Sequence, residues 1–284
     1  MRVLILGSSG TIGTAIHTQL SERYEVYGTY NKNKPDNISS KYLFNYGLGE
    51  EGALKNILDS VAPHIVVSSL TGDFEKQLSE HRHLAEYLKD NGGRLIFLST
   101  ANVFDGFPDR HHSEEDIPYP ISDYGKFKYA CEQLLESVLK DNLLIVRLCK
   151  IYSAKSARLE IERLRKGQSI FSNLYMSYNT ADNVAKAISY FVGTNNCGTI
   201  HLTSTDCVTT EQFAKMLLEK YNTDAPYISE ALTPHSYCDL LDCNNPDLLK
   251  IRDDGNFNLS LKSLYPELTQ KFGLSCYDVV NLLL

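Results

Sequence analysis

Apolar residues in the first half of the chain fall in short unbroken runs separated by amphipathic stretches. Residues 2–6 (RVLIL), 64–70 (HIVVSSL), 94–100 (RLIFLST) and 143–148 (LLIVRL) are such runs. Their length and continuity predict strands buried on both faces, as in a parallel sheet. Shorter strands are predicted at 24–30 and 42–44. Between the runs the apolar spacing turns helical. Ile12, Ala15, Ile16 and Leu20 mark one helix, 51–60 a second, and 74–90 a third that stops at Asn91-Gly92-Gly93. Strand–helix alternation through residue 152 predicts an α/β fold with a doubly wound parallel sheet of Rossmann type. Beyond it come a basic helix at 156–168, a helix at 180–192 behind Thr180 as N-cap, the apolar strand GTIHLTS, a helix at 209–221, and irregular sequence to Leu284. The expected division is a dinucleotide-binding domain of 1–152, with about 180–204 returning to the sheet. A smaller, mixed C-terminal substrate lobe takes 153–179 and 205–284.

The turn after the first strand reads GSSGTIG. In a strand–turn–helix context, Gly7 permits the sharp turn, Gly10 lets backbone approach a pyrophosphate, and Gly13 allows close helix–strand packing. Ser9, Thr11 and Ile12 surround the helix N-terminus, whose free N–H groups and positive dipole end suit phosphate. The second strand should end at the adenosine ribose, where an NAD-selective site offers an acid. Here the residues are Asn31, Lys32, Asn33 and Lys34, which favours NADP(H) over NAD(H). Asn45 and Tyr46 are the expected adenine neighbours, and the turn Ser68–Thr71, with Ser69 and Leu70, should face the cofactor. Ser99 and Thr100 end the 94–100 strand, and ligands bind at the C-terminal edge of such sheets.

The 122–140 stretch, SDYGKFKYACEQLLESVLK, predicts a helix with Phe127, Cys131, Leu134, Leu135 and Val138 on its core face. Tyr124 and Lys128, four residues apart, share one side of that stripe. An ammonium about 4 Å from a phenol, at an effective dielectric near 20, favours the phenolate by roughly 4 kcal/mol. That lowers the phenol pKa by about three units, towards the working range of a general acid.

The net charge of −7 argues against a nucleic-acid or anionic-membrane partner, though not against a phosphorylated ligand. No apolar run approaches the length of a spanning helix, and the opening strand leaves no room for a leader peptide. Seven scattered cysteines without C-x-x-C read as reduced thiols. His81, His83 and the pair His111-His112 lack metal-site spacing, so no metal is expected. These features together predict a cytoplasmic protein.

Four stretches, LILGSSGTIG, LSTANVFDG, PYPISDYGKFKYACE and YNTADNVAKAI, resemble the extended short-chain dehydrogenase/reductases, and within them the dTDP-4-dehydrorhamnose reductases. The resemblance implies a triad of Thr100, Tyr124 and Lys128. Tyr124 would protonate a carbonyl oxygen as hydride arrives, Lys128 would lower the phenol pKa and hold the nicotinamide ribose, and Thr100 would orient the carbonyl. It implies an NADPH-dependent reductase of a keto group on a nucleotide-linked sugar, with Asn102, Val103, Phe104 and Lys150 towards the substrate. The chain departs from the pattern at Ser68-Ser69-Leu70, where relatives carry Asn-Ala-Ala. It departs again at Asn102, where they carry tyrosine, and at Lys150, often an aromatic position. Two other readings stay open on the same scaffold. One is a cofactor-binding regulatory subunit like the methionine adenosyltransferase beta subunit, which the E-E-D-I-P stretch also resembles. The other is a sugar-nucleotide epimerase. A homodimer is compatible with each of these readings.

Overall fold

The computed structural model describes residues 1–36, 38–107, 110–204, 207–232, 237–241, 246 and 248, with backbone alone at 40, 154–155 and 237–240. The expected irregular tail past 248, together with Cys243, lies outside the described residues.

In chain order the elements begin with β1 (Arg2–Leu6), α1 (Thr11–Ser21), β2 (Glu25–Tyr30), β3 (Leu43–Asn45), α2 (Ala53–Val61), β4 (Ile65–Ser68), α3 (Phe74–Asn91) and β5 (Arg94–Thr100). They continue with β6 (His111–His112), α4 (Asp123–Leu139), β7 (Leu143–Leu148), β8 (Lys150–Tyr152), α5 (Ala154–Arg165), β9 (Ser169–Phe171), β10 (Leu174–Met176) and β11 (Tyr178–Thr180). The last are α6 (Ala181–Val192), β12 (Gly198–Leu202), β13 (Val208–Thr209), α7 (Thr210–Lys220), β14 (Ile228–Glu230) and β15 (Tyr237–Leu241).

The chain forms two compact units. The first takes 1–103, 120–147 and 181–200, and its centre is a seven-stranded sheet in the order β12-β7-β5-β4-β1-β2-β3. The ladders from β3 through β2, β1 and β4 to β5 are parallel. Helix α1 packs on α6, while α3 packs on α2 and α4, so the sheet is wound on both sides as the alternation predicts. The strand runs are fully buried because both faces carry helices. Leu4, Leu6, Val66, Leu95, Phe97 and Ile145 meet Leu84, Leu88, Leu135 and Leu139 in one core. Each such side chain contributes about 1.5–3 kcal/mol through its burial. Local signals set the helix ends. Asp73 caps α3 by accepting from the Lys76 N–H at 2.9 Å, and Gly92 ends it at φ +68°, a left-handed cap that glycine adopts without a Cβ penalty. The Arg94 guanidinium donates to the carbonyls of Phe191, Thr194 and Asn196, closing the C-terminal end of α6.

The second unit takes 104–119, 148–180 and the chain from His201 onward. It contains a four-stranded sheet, β13-β10-β15-β6, and the pairs β8–β11 and β9–β14. Helix α7 opens on a capping box between Thr209 and Gln212, and Phe213 from it stacks on Tyr178 at 3.8 Å. The sequence reads 105–121 as a surface crossing that delivers the next helix. Residues 104–119 belong to this unit, and β6 within them also pairs with β15. A two-residue strand has no periodicity to read, and its partner lies far along the chain. Among the described residues no helix is long and apolar enough to cross a membrane.

Candidate functional site

β1 and β4 are neighbours in the sheet, so their following turns diverge and leave a crevice at the strand ends. Gly7 sits there at φ +90°, and a Cβ added to it would lie 2.7 Å from the Ser69 carbonyl oxygen. A Cβ on Gly13 would lie 2.1 Å from Gly7 O, so this glycine serves helix–strand packing. Gly10 differs. The only atom near its added Cβ is Gly7 O at 3.4 Å, an ordinary contact. The space a side chain would fill there is the cleft itself. Gly10 is also the N-cap of α1 and provides no side-chain cap. The first-turn N–H groups of Thr11, Ile12 and Gly13 thus meet the cleft at the positive end of the helix. An open glycine and an uncapped helix start fit the pyrophosphate of a dinucleotide.

The structure brings Gly7, Ser9, Gly10, Asn31, Tyr46, Ser69 and Leu70 together around one cleft of about 230 Å³. Asn45 holds its rim by donating to Asn31 O at 2.8 Å. Lys32 follows Asn31 as an exposed side chain. Tyr46 is buried beside Glu80, and burial together with that carboxylate pushes its phenol pKa up. Thr29 and Leu48 also line the cleft and escaped the sequence reading, beside Tyr30 and Thr71 at the ends of the stretches expected there. Thr29 anchors the glycine turn, since its Oγ1 accepts from the Gly7 N–H at 2.9 Å. A signal existed in Gly28. Glycine inside a strand marks close approach, and a Cβ there would lie 2.0 Å from Ser8 Oγ.

α4 delivers Tyr124. Its N-cap Ser122 accepts from the Gly125 N–H at 3.0 Å. A Cβ on Gly125 would lie 2.3 Å from Asn102 O, so glycine there lets the helix start rest directly on the turn after β5. That contact sets Tyr124 beside Thr100. The Thr100 hydroxyl donates to Asn102 Oδ1 at 2.9 Å and also lies against the phenol oxygen. A single hydroxyl proton cannot serve both. Tyr124 stays 41% exposed, with its ring 6.0 Å from Phe74.

Lys128 is 6% exposed, donates to Leu98 O at 2.8 Å, and stands 4.6 Å over the Phe97 ring. Burial pulls its pKa down to about 8, with Cys131 and Glu132 opposing. Helical spacing predicts that this ammonium lowers the phenol pKa. The structure corrects that expectation: burial pushes the Tyr124 phenol up, and the group acting against burial is the Thr100 hydroxyl. A buried amine needs an acceptor. The Leu98 carbonyl on β5 is one that helix geometry alone does not reveal.

Beneath these groups lie two polar clusters that the sequence reading missed. Glu132 is fully buried and paired with Arg147, whose Nη2 donates to Oε2 at 2.8 Å and Nε to Oε1 at 3.2 Å. The Ser99 hydroxyl also donates to Glu132 Oε1. Alternation along β5 sends Ser99 and Thr100 to opposite faces: the Ser99 hydroxyl meets Glu132, while Thr100 lies beside Tyr124. The second cluster is His81, whose Nδ1 contacts Gln77 O at 2.7 Å and Nε2 contacts Ser68 Oγ at 2.8 Å. A carbonyl only accepts, so Nδ1 carries the proton and Nε2 accepts from Ser68. Burial, helped by Lys128, pulls His81 down to about 4 and keeps it neutral. Of the expected substrate residues, Asn102 and Val103 lie on the Thr100 turn. Phe104 and Lys150 belong to the second unit, Phe104 stacked on His112 at 4.3 Å and Lys150 exposed on β8.

A family model described as the RmlD substrate binding domain matches residues 73–239. The chain is 25% identical over 255 residues to "Probable low-salt glycan biosynthesis reductase Agl14" of Haloferax volcanii, covering 82% of this chain and 84% of the relative. It is 24% identical over 316 residues to methionine adenosyltransferase 2 subunit beta of Bos taurus, covering 95% and 89%. The solved dTDP-4-dehydrorhamnose reductase of Bacillus anthracis in complex with NADP superposes with a TM-score of 0.71 at 20% identity, over 91% of this chain and 94% of that one. WbmH of Bordetella bronchiseptica, in complex with NAD+, gives 0.77 at 19% identity, over 93% and 95%.

Proposed function

The chain belongs to the RmlD substrate-binding-domain family, and on that premise we propose that it is an NADPH-dependent reductase of a keto group on a nucleotide-linked sugar. One observation carries the reading. Thr100 and Tyr124 set two hydroxyls side by side at the C-terminal edge of the sheet, with Lys128 one turn further along α4.

Gly7, Gly10 and the α1 N-terminus would hold the pyrophosphate, and Asn31 and Lys32 the ribose end. With no acid at 31–34 and a cation at Lys32, a 2′-phosphate is favoured there over a free hydroxyl. A dinucleotide held by these residues would supply hydride for the carbonyl carbon. Tyr124 is the proton donor to the carbonyl oxygen. A phenol pushed up by burial is protonated at neutral pH, the state an acid must start from. Thr100 releases Asn102 and gives its hydrogen bond to the same oxygen. Lys128 is assigned to the nicotinamide ribose, and the Thr100 hydroxyl is the group beside the phenol that favours its ionised form.

The test mixes the protein with NADPH and a panel of 4-keto nucleotide sugars and follows NADPH absorbance. Consumption is expected, and Tyr124→Phe lowers it by about 10²–10⁴-fold while NADPH binding persists. Binding without consumption on any panel member would overturn the reading in favour of a cofactor-binding regulatory role. Sugar turnover with no net NADPH loss would replace it with epimerisation.

A further inference from the structure

Lys128 and Glu132 lie one turn apart on α4, and both are buried. Spacing of four residues brings a lysine and a glutamate into contact on a helix face. In water such a pair gains a few tenths of a kcal/mol; out of water its attraction is far stronger. Yet the Lys128 amine donates to Leu98 O, on the neighbouring strand. Glu132 instead gives both oxygens to Arg147, and Oε1 accepts from Ser99 as well. A planar guanidinium meets two carboxylate oxygens at once, which an ammonium cannot do. A buried ion pair gains little over an apolar pair of the same shape, so stability alone explains this one poorly.

We propose that Arg147 and Ser99 are positioning residues, which occupy Glu132 and so keep its carboxylate from capturing the Lys128 amine. Were Glu132 released, it would draw the ammonium along α4 away from the Tyr124 end of the helix. The groups facing Lys128 are Cys131 and Glu132 from α4 and His81 from α3, with the Leu98 carbonyl and the Phe97 ring from β5. His81 is neutral above about pH 4, so within this set Glu132 is the carboxylate that could compete for the Lys128 amine. The consequence for catalysis rests on the reductase reading above; the positioning itself can be read on the cofactor-free protein.

The experiment titrates Lys128 in that protein by its acetylation with acetic anhydride across a pH series, followed by peptide mass spectrometry. Arg147→Met leaves Glu132 without its fork, and the acetylation midpoint should rise by about one unit or more. Glu132→Gln keeps the shape and removes the charge, so the midpoint should fall. The double variant should return towards wild type. The alkaline limb of the NADPH reaction should follow the same order. Unmoved midpoints in both single variants, with only the melting temperature lowered, would overturn the inference. If Arg147→Met fails to fold, Ser99→Ala and Glu132→Gln decide it, with opposite shifts expected and none counting against. A wild type that consumes no NADPH would sink the reductase reading and leave the acetylation series intact.

Discussion

At the scale of single residues, the site turns on what burial does to charge. Tyr124 and Lys128 are both moved towards neutrality, the phenol up and the amine down to about 8. A pair read from sequence as mutually ionising is, in the structure, a protonated phenol and a desolvated amine on different partners. The ribose end of the cleft obeys the simpler physics of exposed charge. Lys32 is solvated, so under the NADPH reading proposed above its contribution to a 2′-phosphate would be electrostatic and fall with salt. Lys32→Glu should weaken NADPH by about tenfold, as expected for reversing a charge beside a phosphate, and leave NADH nearly unchanged. Fluorescence titrations with both cofactors check this. Equal weakening of the two would remove the 2′-phosphate assignment.

At the scale of elements, the site is built by contacts between termini. The start of α4 rests on the turn after β5 through Gly125, and the end of β1 meets the turn after β4 through Gly7 and Ser69. The two glycines answer to different demands. Gly7 needs a positive φ, whereas Gly125 is an ordinary helical residue that lacks room for a Cβ. Gly125→Ala therefore gains helix propensity of about 1 kcal/mol. It must also push α4 away from Asn102 O. The expected outcome is a small change in melting temperature, within a few degrees, beside a loss of turnover of about 10²-fold from misplacement of Tyr124. Turnover that tracks stability alone would show that this contact does not set the geometry.

At the scale of the whole molecule, the buried histidines His17 and His81 are each pulled down to about 4 by desolvation. The unfolded chain takes a proton at each near 6.5, and the folded chain not until about 4. Stability they support is therefore fully present above about pH 6.5 and is lost as the pH falls towards 4. For His81 the full effect is on the order of 3 kcal/mol. Urea unfolding at several pH values should show that decline, and His81→Gln should flatten part of it. A variant with the wild-type slope would mean that His81 is not the group responsible.

Much of this protein was legible in its sequence, because the signals are local. The apolar runs at 2–6, 94–100 and 143–148 became buried strands with those bounds, and the glycine turn and the stop at Gly92 each act within a few residues. Ser99 and Thr100 could be placed at the cleft edge, but not which hydroxyl faces it. That depends on strand alternation measured against α4, a helix that starts only at Asp123. The partners of Lys128, the Glu132–Arg147–Ser99 cluster and the pairing of β6 with β15 were settled by the tertiary structure alone. Short-range order follows from backbone preference and hydrophobic period, which every residue carries with it. The fate of a buried charge depends on which distant acceptor is nearest once water has gone, and that is a property of the folded chain.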